Sequence, residues 1–390
     1  MSNLRPDAVV RAIRSVVGDG ARRIALHEPE FRGNEWRYVK ECLDSTFVSS
    51  IGKYVDKFEE MLAAYTGAAR AVAVVNGTVA LQVCLELAGV EEGDEVIVPA
   101  LSFVATANAV MHARAMPHFV DVDERTLGMS APKLAAHLSE TCELRDGKCI
   151  SKTTRRRISA VVPMHTFGHP VDIDAIMDVA SRYGLSVIED AAESLGSFYK
   201  RRHTGNFGKL AALSFNGNKI ITTGGGGAIL TNDPELGSRA KHLTSTARVP
   251  HAWEFIHDQV GYNFRLPNLN AALGCAQMES LPRRVEQKRS LAAKYADAFS
   301  GIAGVRFFDE PRQARSNYWL NALVLDAPSG EVRDAVLQAT NDAGLMTRPC
   351  WRLLHTLPMY CAYPRDDLSV AESLVQRVIN IPSSAGLDAH

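Results

Sequence analysis

The sequence predicts an α/β fold with a mostly parallel sheet in a large domain, followed by a smaller C-terminal α+β domain. Short apolar runs rich in β-branched residues alternate with stretches of helical length between residues 71 and 243. Strands and helices that alternate in this way form parallel sheets covered on both faces. Beyond residue 260 the order of elements changes, and 390 residues exceed one typical domain. We therefore expect a large domain over residues 1–260 and a smaller one over residues 261–390.

The elements are expected in the following order. Apolar residues at helical spacing predict N-terminal helices over residues 7–18, 34–45 and 53–65. The alternating region predicts strands at residues 71–75, 95–98, 118–122, 158–164, 186–189, 210–215 and 228–231. Between them, helices are expected at residues 78–88, 102–114, 131–138, 174–183 and 234–243. The C-terminal region predicts helices at residues 269–285, 288–298 and 330–343, and strands at residues 318–325 and 345–347.

One basic stretch interrupts this order. Residues 142–157 contain the run Arg155-Arg156-Arg157 between a predicted helix and a predicted strand. A short run of like charges is typical of a solvated loop, which is the structure expected here. A basic surface for an anionic partner is the alternative.

Composition excludes several classes of protein. The formal net charge of −1 argues against nucleic acid or an anionic membrane as the main partner. Seven cysteines occur without a C-x-x-C pair, which is typical of reduced thiols in a cytosolic protein. No apolar run approaches 18 residues, and the first residues lead into no signal-like apolar segment. The expectation is a soluble, cytoplasmic protein that spans no membrane.

The candidate chemistry centres on Lys219, which follows an apolar run and precedes the glycine tract at residues 224–227. An upstream strand ends in Glu189 and Asp190, and the run at residues 72–78 has the form of a strand, a tight turn and a helix start. A phosphate cradle, a buried acid and a lysine after a strand together suit pyridoxal phosphate (PLP). An ordinary surface lysine in a loop is the alternative interpretation.

These residues resemble the DegT/StrS family of PLP-dependent nucleotide-sugar aminotransferases, which have PLP fold type I. The matching segments span nearly the whole chain and are residues 52–59, 76–78, 99–108, 189–196, 214–219 and 261–266. A narrower likeness is to enzymes that aminate C4 of a UDP-linked 4-keto-6-deoxy-N-acetylhexosamine on routes to bacillosamine and legionaminic acid. It rests on residues 47–55, 346–349 and 380–384.

The resemblance implies roles for single residues. Lys219 would hold PLP covalently and then shuttle a proton between the cofactor's C4′ and the substrate carbon. Asp190 would face the pyridine nitrogen, with a helix N-cap as the alternative. The phosphate ligands would come from Gly77, Thr78 and Ser214, together with Asn263 of the other subunit in a homodimer.

Other residues allow more than one interpretation. Phe103 matches the ring that stacks on the pyridine in the family, with a core aromatic on the helix over residues 102–114 as the alternative. Glu193 lies where relatives place a side chain near the phenolic oxygen, and it is either protonated there or turned toward the substrate. His165 and His169 have H-x3-H spacing but no third ligand nearby, so zinc is not expected, and His165 is placed over the cofactor site. Close packing of a strand under the lysine turn explains the glycine tract.

The leading hypothesis is therefore transamination of a UDP-linked 4-keto-6-deoxy sugar with glutamate as the amino donor. By resemblance, the enzyme is a homodimer with active sites at the subunit interface. Amination at C3 or dehydration of the sugar are alternatives within PLP chemistry, and Lys219 argues against dehydration because the related dehydratases carry histidine there. A non-catalytic regulatory protein on the same fold is the third hypothesis.

Overall fold

The computed structural model describes residues 4–19 and 23–389. Its helices are α1 (Pro6–Val17), α2 (Glu35–Asp44), α3 (Lys53–Thr66), α4 (Gly77–Leu87), α5 (Val104–His112), α6 (Ala131–Thr141), α7 (Ile173–Tyr183), α8 (Pro234–Thr244), α9 (Asn268–Phe299), α10 (Gly330–Asp342) and α11 (Ser369–Val375). The strands before α9 are β1 (Arg70–Val74), β2 (Glu95–Pro99), β3 (Met116–Val120), β4 (Cys142–Arg145), β5 (Lys148–Ser151), β6 (Arg157–Val161), β7 (Ser186–Asp190), β8 (Phe198–Tyr199), β9 (Arg202–His203), β10 (Leu210–Ser214), β11 (Gly227–Thr231), β12 (Arg248–Val249) and β13 (Ile256–His257). The later strands are β14 (Val305–Phe307), β15 (Ala314–Arg315), β16 (Asn321–Leu325), β17 (Arg348–Pro349) and β18 (Val378–Ile381).

A nine-stranded, mostly parallel sheet forms the centre of the structure, as predicted. Its main path runs β1-β11-β10-β7-β6-β2-β3, and β4 and β5 extend from β6. Along this path only β11 runs antiparallel to its neighbours. All five residues of β2 and of β11 are buried, as expected for strands covered on both faces. This mixed α/β architecture is consistent with PLP fold type I.

A second, antiparallel sheet of order β14-β16-β18-β17 follows in the C-terminal part. Its core includes residues of α9 and α10 and also Val9 and Ile13 of α1. The N-terminal helix α1 therefore packs against α9 and α10 and shares the core of this sheet, although its sequence position assigned it to the large domain. The predicted boundary between residues 260 and 261 stays a prediction.

Two predicted helices are one. Residues 269–285 and 288–298 were expected to form separate helices, but α9 continues from Asn268 to Phe299 through Pro282. The interval at residues 286–287 lacks apolar side chains but contains no helix-breaking residue. Burial of α9 continues beyond it, from Lys288 to Tyr295.

The prediction of a solvated loop over residues 142–157 is wrong. Strands β4 and β5 form a hairpin there, and β5 pairs with β6 at the edge of the large sheet. The arginines have partners within the chain: Arg155 donates to Glu143, Arg156 to the Gly93 carbonyl and Arg157 to Asp94. Charged residues dominate this segment, and the buried positions of the hairpin are Cys142, Cys149 and Ser151, none of which is strongly apolar.

The strand expected at residues 345–347 lies three residues later, at β17. Leu345 forms only an isolated bridge with Ile24. In this bridge the neighbouring Met346 donates a backbone hydrogen bond to the Ile24 carbonyl. The predictions also omitted α11, β14, β18 and the two-residue strands β8, β9, β12, β13 and β15. Two residues are too few to show the alternation that indicates a strand.

The topology places several loops at one edge of the large sheet. Strands β1, β2, β6, β7 and β10 are parallel, so the segments that follow them meet at their carboxyl ends. Binding sites in open α/β sheets lie at this edge. Within residues 4–19 and 23–389, no helix has both the length and the apolar character needed to cross a membrane.

Candidate active site

A cavity of about 330 Å³ lies at the carboxyl edge of the large sheet. This volume lies at the small end of the range of ligand pockets, roughly 300–1,000 Å³. Seven of the eight predicted site residues line it: Gly77, Thr78, Phe103, Asp190, Glu193, Ser214 and Lys219. The eighth, Asn263, lies elsewhere. The structure thus brings together side chains from four separate strand ends.

Volume by itself does not identify the site. A larger cavity of about 600 Å³ lies beside α2 and α3, where Glu41, Lys53 and Asn268 are among its lining residues. Glu41 there accepts hydrogen bonds from Lys53 and from the Tyr54 hydroxyl. That cavity does not combine an amine with a helix N-terminus and a carboxylate at a strand end. The smaller cavity does.

One wall of the smaller cavity is the N-terminus of α4. Asn76 caps this helix by accepting a hydrogen bond from the amide of Val79 at 3.0 Å. The preceding amides, of Gly77 and Thr78, and the hydroxyls of Thr78 and Ser214 make no hydrogen bond within the described residues. Unpaired amides at a helix N-terminus and neighbouring hydroxyls suit a phosphate dianion.

Glycine keeps this wall compact. A Cβ on Gly77 would lie 3.0 Å from the Cβ of Ser214, and a Cβ on Gly227 would lie 2.5 Å from the backbone of Asn76. Gly227 begins β11, which pairs with both β1 and β10. Gly227 therefore lets the start of α4 approach the sheet. Close packing does not extend to the whole tract, because an added Cβ on Gly225 would meet no atom within 4 Å.

Lys219 lies in the turn after β10, and its side chain is 10% exposed. Its Nζ donates a hydrogen bond to Glu193 Oε1 at 3.1 Å and lies 3.9 Å from the centroid of the Trp319 ring. An ordinary surface lysine would be solvated, so the structure contradicts that alternative. The amine instead faces a lined cavity.

Asp190 ends β7 and is nearly fully buried. Its Oδ2 accepts a hydrogen bond from Thr106 Oγ1 at 2.7 Å, and its Oδ1 accepts from the amide of Ala192 at 3.2 Å. Burial raises the pKa of Asp190, while the hydrogen bonds from Thr106 and Ala192 oppose this rise. The next element after Asp190 is strand β8 and not a helix, so Asp190 does not act as a helix N-cap. Asp190 is therefore a buried carboxylate that lines the cavity and has a hydrogen bond to each of its two oxygens.

Glu193 is also buried and belongs to the same wall. Its Oε2 accepts a hydrogen bond from the amide of Phe167 at 2.9 Å, and its Oε1 accepts from Lys219. Burial raises the pKa of Glu193, and the nearby Lys219 ammonium opposes the rise. The carboxylate is therefore turned toward the lysine.

Phe103 precedes the first residue of α5, and 47% of its surface is exposed. This contradicts the alternative of a core aromatic. The centroid of its ring is 6.2 Å from that of Trp351, which also lines the cavity. An exposed aromatic face at the rim of a cavity can cover a planar ligand.

The structure places His165 elsewhere than predicted. Its ring is fully buried, where Nε2 hydrogen-bonds Glu189 at 3.0 Å and Nδ1 accepts from the amide of Val171 at 3.2 Å. It is not among the residues that line the cavity. His169 is buried between the rings of Phe308 and Tyr318.

Asn263 is exposed and forms a backbone bridge with Ser245. Beside it, the rings of Tyr262 and Phe264 are stacked with centroids 4.7 Å apart. Its expected role across a dimer interface stays a prediction.

Sequence reasoning missed two tryptophans, Trp319 and Trp351, which line the cavity from the C-terminal part of the chain. Trp351 follows the segment at residues 346–349 on which the narrower likeness rests, so that segment could have drawn attention to it. For Trp319 no local signal was present, because it lies next to an apolar strand and looks like a core residue.

The donor set fits PLP. Amides and hydroxyls at the start of α4 and at Ser214 suit its phosphate, the buried carboxylate of Asp190 suits a protonated pyridine nitrogen, and the Lys219 amine suits its aldehyde. A Cβ on Gly77 would fill part of the space in front of Ser214. The fit therefore concerns shape as well as charge.

Comparison with known proteins agrees with this geometry. The model of the family described as DegT/DnrJ/EryC1/StrS aminotransferase matches residues 29–390. The chain is 36% identical to the GDP-perosamine synthase of Caulobacter vibrioides (strain ATCC 19089 / CIP 103742 / CB 15), over 94% of each protein. It is 37% identical to the GDP-perosamine synthase of Escherichia coli O157:H7, over 93% of this chain and 94% of that one.

Solved structures give the same result. The aminotransferase TlmJ from Streptoalloteichus hindustanus superposes with a TM-score of 0.83 and 30% identity, covering 93% of each chain. The chain therefore belongs to the DegT/DnrJ/EryC1/StrS aminotransferase family and is a PLP-dependent sugar aminotransferase.

Proposed function

We propose that this enzyme transfers the amino group of glutamate to C4 of UDP-2-acetamido-2,6-dideoxy-4-ketohexose, a nucleotide-linked 4-keto-6-deoxy sugar. One observation carries the aminotransferase part: a single cavity joins the Lys219 amine, the buried Asp190 and the amides at the start of α4. The segments at residues 47–55, 346–349 and 380–384 support the choice of sugar.

The residues divide the work by their chemistry. Gly77, Thr78 and Ser214 bind the cofactor phosphate through amides and hydroxyls. Asp190 keeps the pyridine nitrogen protonated, since an anion beside that nitrogen favours its charged form. PLP, when bound, supplies an electron-accepting ring that stabilises negative charge on the reacting carbon.

Lys219 would hold the cofactor through its Nζ, and the same atom would accept and donate the proton that transamination moves. Phe103, at the rim of the cavity, would cover the bound cofactor. Both residues lie in segments that follow parallel strands, so the sheet positions them at one cavity.

A GDP-linked sugar is the second candidate substrate. The two relatives named GDP-perosamine synthase, at 36% and 37% identity over nearly the whole chain, favour it. The nucleotide is therefore the first variable to test.

The enzyme is further proposed to act as a homodimer in which Asn263 contributes to the partner's site. Supporting this, the segment just before Asn263 exposes Trp253 and Phe255, at 80% and 75% of their surface. Large aromatic residues are enriched at protein interfaces.

The experiment is a coupled assay with a panel of UDP-, GDP- and dTDP-linked 4-keto-6-deoxy sugars and matching 3-keto sugars. Formation of amino sugar is followed by mass spectrometry with glutamate as donor, and Lys219→Ala serves as the inactive control. The highest kcat/KM is expected for the UDP 4-keto sugar. Preference for GDP would select the second candidate. Preference for 3-keto sugars, or a deoxygenated product without nitrogen, would overturn the proposal.

A further inference from the structure

Two groups hold the amine of Lys219. The carboxylate of Glu193 lies on one side at 3.1 Å, and the face of Trp319 lies on another with its centroid 3.9 Å away. Both contacts attract an ammonium, since the first is an ion pair and the second places the positive charge over an aromatic face. Glu193 is 1% exposed and Trp319 is 4% exposed, so water screens these contacts little.

Trp319 is fixed with respect to the lysine turn. Its indole Nε1 donates a hydrogen bond to the carbonyl of Asn218 at 2.7 Å, one residue before Lys219. Its backbone amide donates to Asn317 Oδ1 at 2.8 Å. The ring therefore cannot leave the lysine without breaking a hydrogen bond to the turn that carries it.

The same asparagine also holds the segment of Glu193. Asn317 Nδ2 donates to the carbonyls of Glu193 and Leu195, both at 2.9 Å. Gly168 allows this arrangement, since a Cβ there would lie 1.9 Å from Asn317 Oδ1 and 3.1 Å from the amide of Trp319. Glu193, Trp319 and the lysine turn thus form one bonded unit across the two parts of the chain.

We propose that Glu193 and Trp319 form a second position for the Lys219 side chain, which holds it as an ammonium before PLP bonds to it and receives it as an ammonium when that bond is broken. Trp319 is then a positioning residue that sets how readily Lys219 gives up that bond. This inference rests on the proposed role of Lys219 as the lysine that holds PLP.

The proton balance agrees with an ammonium in this position. The bonded nitrogen of Lys219 carries one proton before the exchange. When a donor ammonium displaces Lys219, the donor nitrogen keeps one of its three protons and the other two pass to the lysine nitrogen. Lys219 then carries three protons and one positive charge, and the total charge is unchanged. The leaving side chain is received by one anion and one aromatic face.

The test compares two ligands that share the pyridine ring and the phosphate and differ at C4′, where one carries an aldehyde and the other an aminomethyl group. PLP can form the bond to Lys219, whereas pyridoxamine 5′-phosphate cannot, and both use the same phosphate cradle. Their dissociation constants are measured at one pH with full-length protein freed of cofactor. The ratio of the pyridoxamine 5′-phosphate constant to the PLP constant reports how strongly bonding competes with the held ammonium.

In Trp319→Leu the ammonium loses its aromatic face, so bonding to PLP meets less competition. The ratio is expected to rise about 3- to 30-fold, the span covered by cation–π contacts of partly to fully desolvated groups. Trp319→Phe retains a ring and should show a smaller rise. Trp351→Leu is the matched control: Trp351 lines the same cavity, its ring contacts Phe103 and Phe167, and its loss should leave the ratio unchanged.

The outcomes are distinct. A Trp319→Leu ratio equal to that of the parent, including the case in which both ligands weaken equally, overturns the proposal and makes Trp319 a structural or cradle residue. An equal rise in Trp351→Leu also overturns it. If the parent protein binds neither ligand, or Lys219→Ala binds PLP as tightly as the parent, the assignment of Lys219 fails instead.

Discussion

Replacing Gly227 by alanine should separate the start of α4 from the sheet. A Cβ at this position would lie 2.5 Å from the carbonyl group of Asn76 and 2.7 Å from the amide nitrogen of Gly77. Ordinary contact begins at 3.4 Å, so the helix start must move by about 3.4 − 2.5 = 0.9 Å. Strand β11 cannot yield instead, because β1 and β10 pair with it on both sides.

The expected loss follows from this displacement. Amide hydrogen bonds to a phosphate of about 2.9 Å would lengthen beyond about 3.5 Å and no longer count as hydrogen bonds. Losing the amides of Gly77 and Thr78 at about 1.5–3 kcal/mol each weakens PLP binding by roughly 3–6 kcal/mol. This corresponds to a dissociation constant raised at least about a hundredfold.

The assay is titration of cofactor-free protein with PLP, together with a thermal melt and a far-UV circular dichroism spectrum. Gly225→Ala is the matched control in the same glycine tract, since no atom lies within 4 Å of its added Cβ. If Gly227→Ala folds and binds PLP within threefold of the parent, the start of α4 does not hold the phosphate. If it fails to fold, Thr78→Ala decides the question, because it removes a hydroxyl at the start of α4 without adding atoms. Its expected loss is about 10- to 100-fold in affinity.

Three further predictions address the reaction and the assembly. Lys219→Ala should abolish both turnover and borohydride-stable attachment of PLP, detected by peptide mass spectrometry; an active variant would refute the role of this lysine. Asp190→Asn should lose most of the rate. Burial raises the pKa of Asp190, so the parent protein loses stability as the pH rises from the unfolded-state pKa to the folded-state pKa. Asparagine does not titrate and escapes this loss. Without cofactor, the melting temperature of the variant relative to the parent should therefore be higher at pH 7 than at pH 4. An unchanged rate, or a constant melting difference, would contradict this. Mixing Lys219→Ala with Asn263→Ala chains should restore part of the activity if subunits exchange, because one hybrid site collects neither defect; no recovery after demonstrated exchange would rule out a shared site.

Short sequence patterns predicted the position of site residues well where those residues lie at the end of a strand. Asp190 and the start of α4 could be placed because an apolar run followed by a polar or glycine residue marks the edge of a parallel sheet. The predictions for Ser214 and Phe103 came from the family resemblance instead. Parallel pairing then brings these ends together without further information.

The prediction failed where pairing partners decide the structure. Residues 142–157 form a hairpin because β5 finds an edge at β6, which the arginine-rich sequence does not indicate. His165 follows the predicted strand at residues 158–164 as Asp190 follows the predicted strand at residues 186–189. His165 nevertheless points into the core, because Glu189 and Val171 satisfy both of its ring nitrogens. Whether a polar side chain faces a cavity or the core depends on such partners.

The sequence by itself therefore determined the alternating sheet, the chemistry of the candidate site and the family, since strand patterns and site motifs are contained in short segments. Only the tertiary structure decided which groups surround the amine. Trp319 lies 101 residues after Asn218, and it reaches the lysine turn because the C-terminal part of the chain packs over the edge of the large sheet. Contacts at this separation arise from packing between elements, which no local spacing encodes.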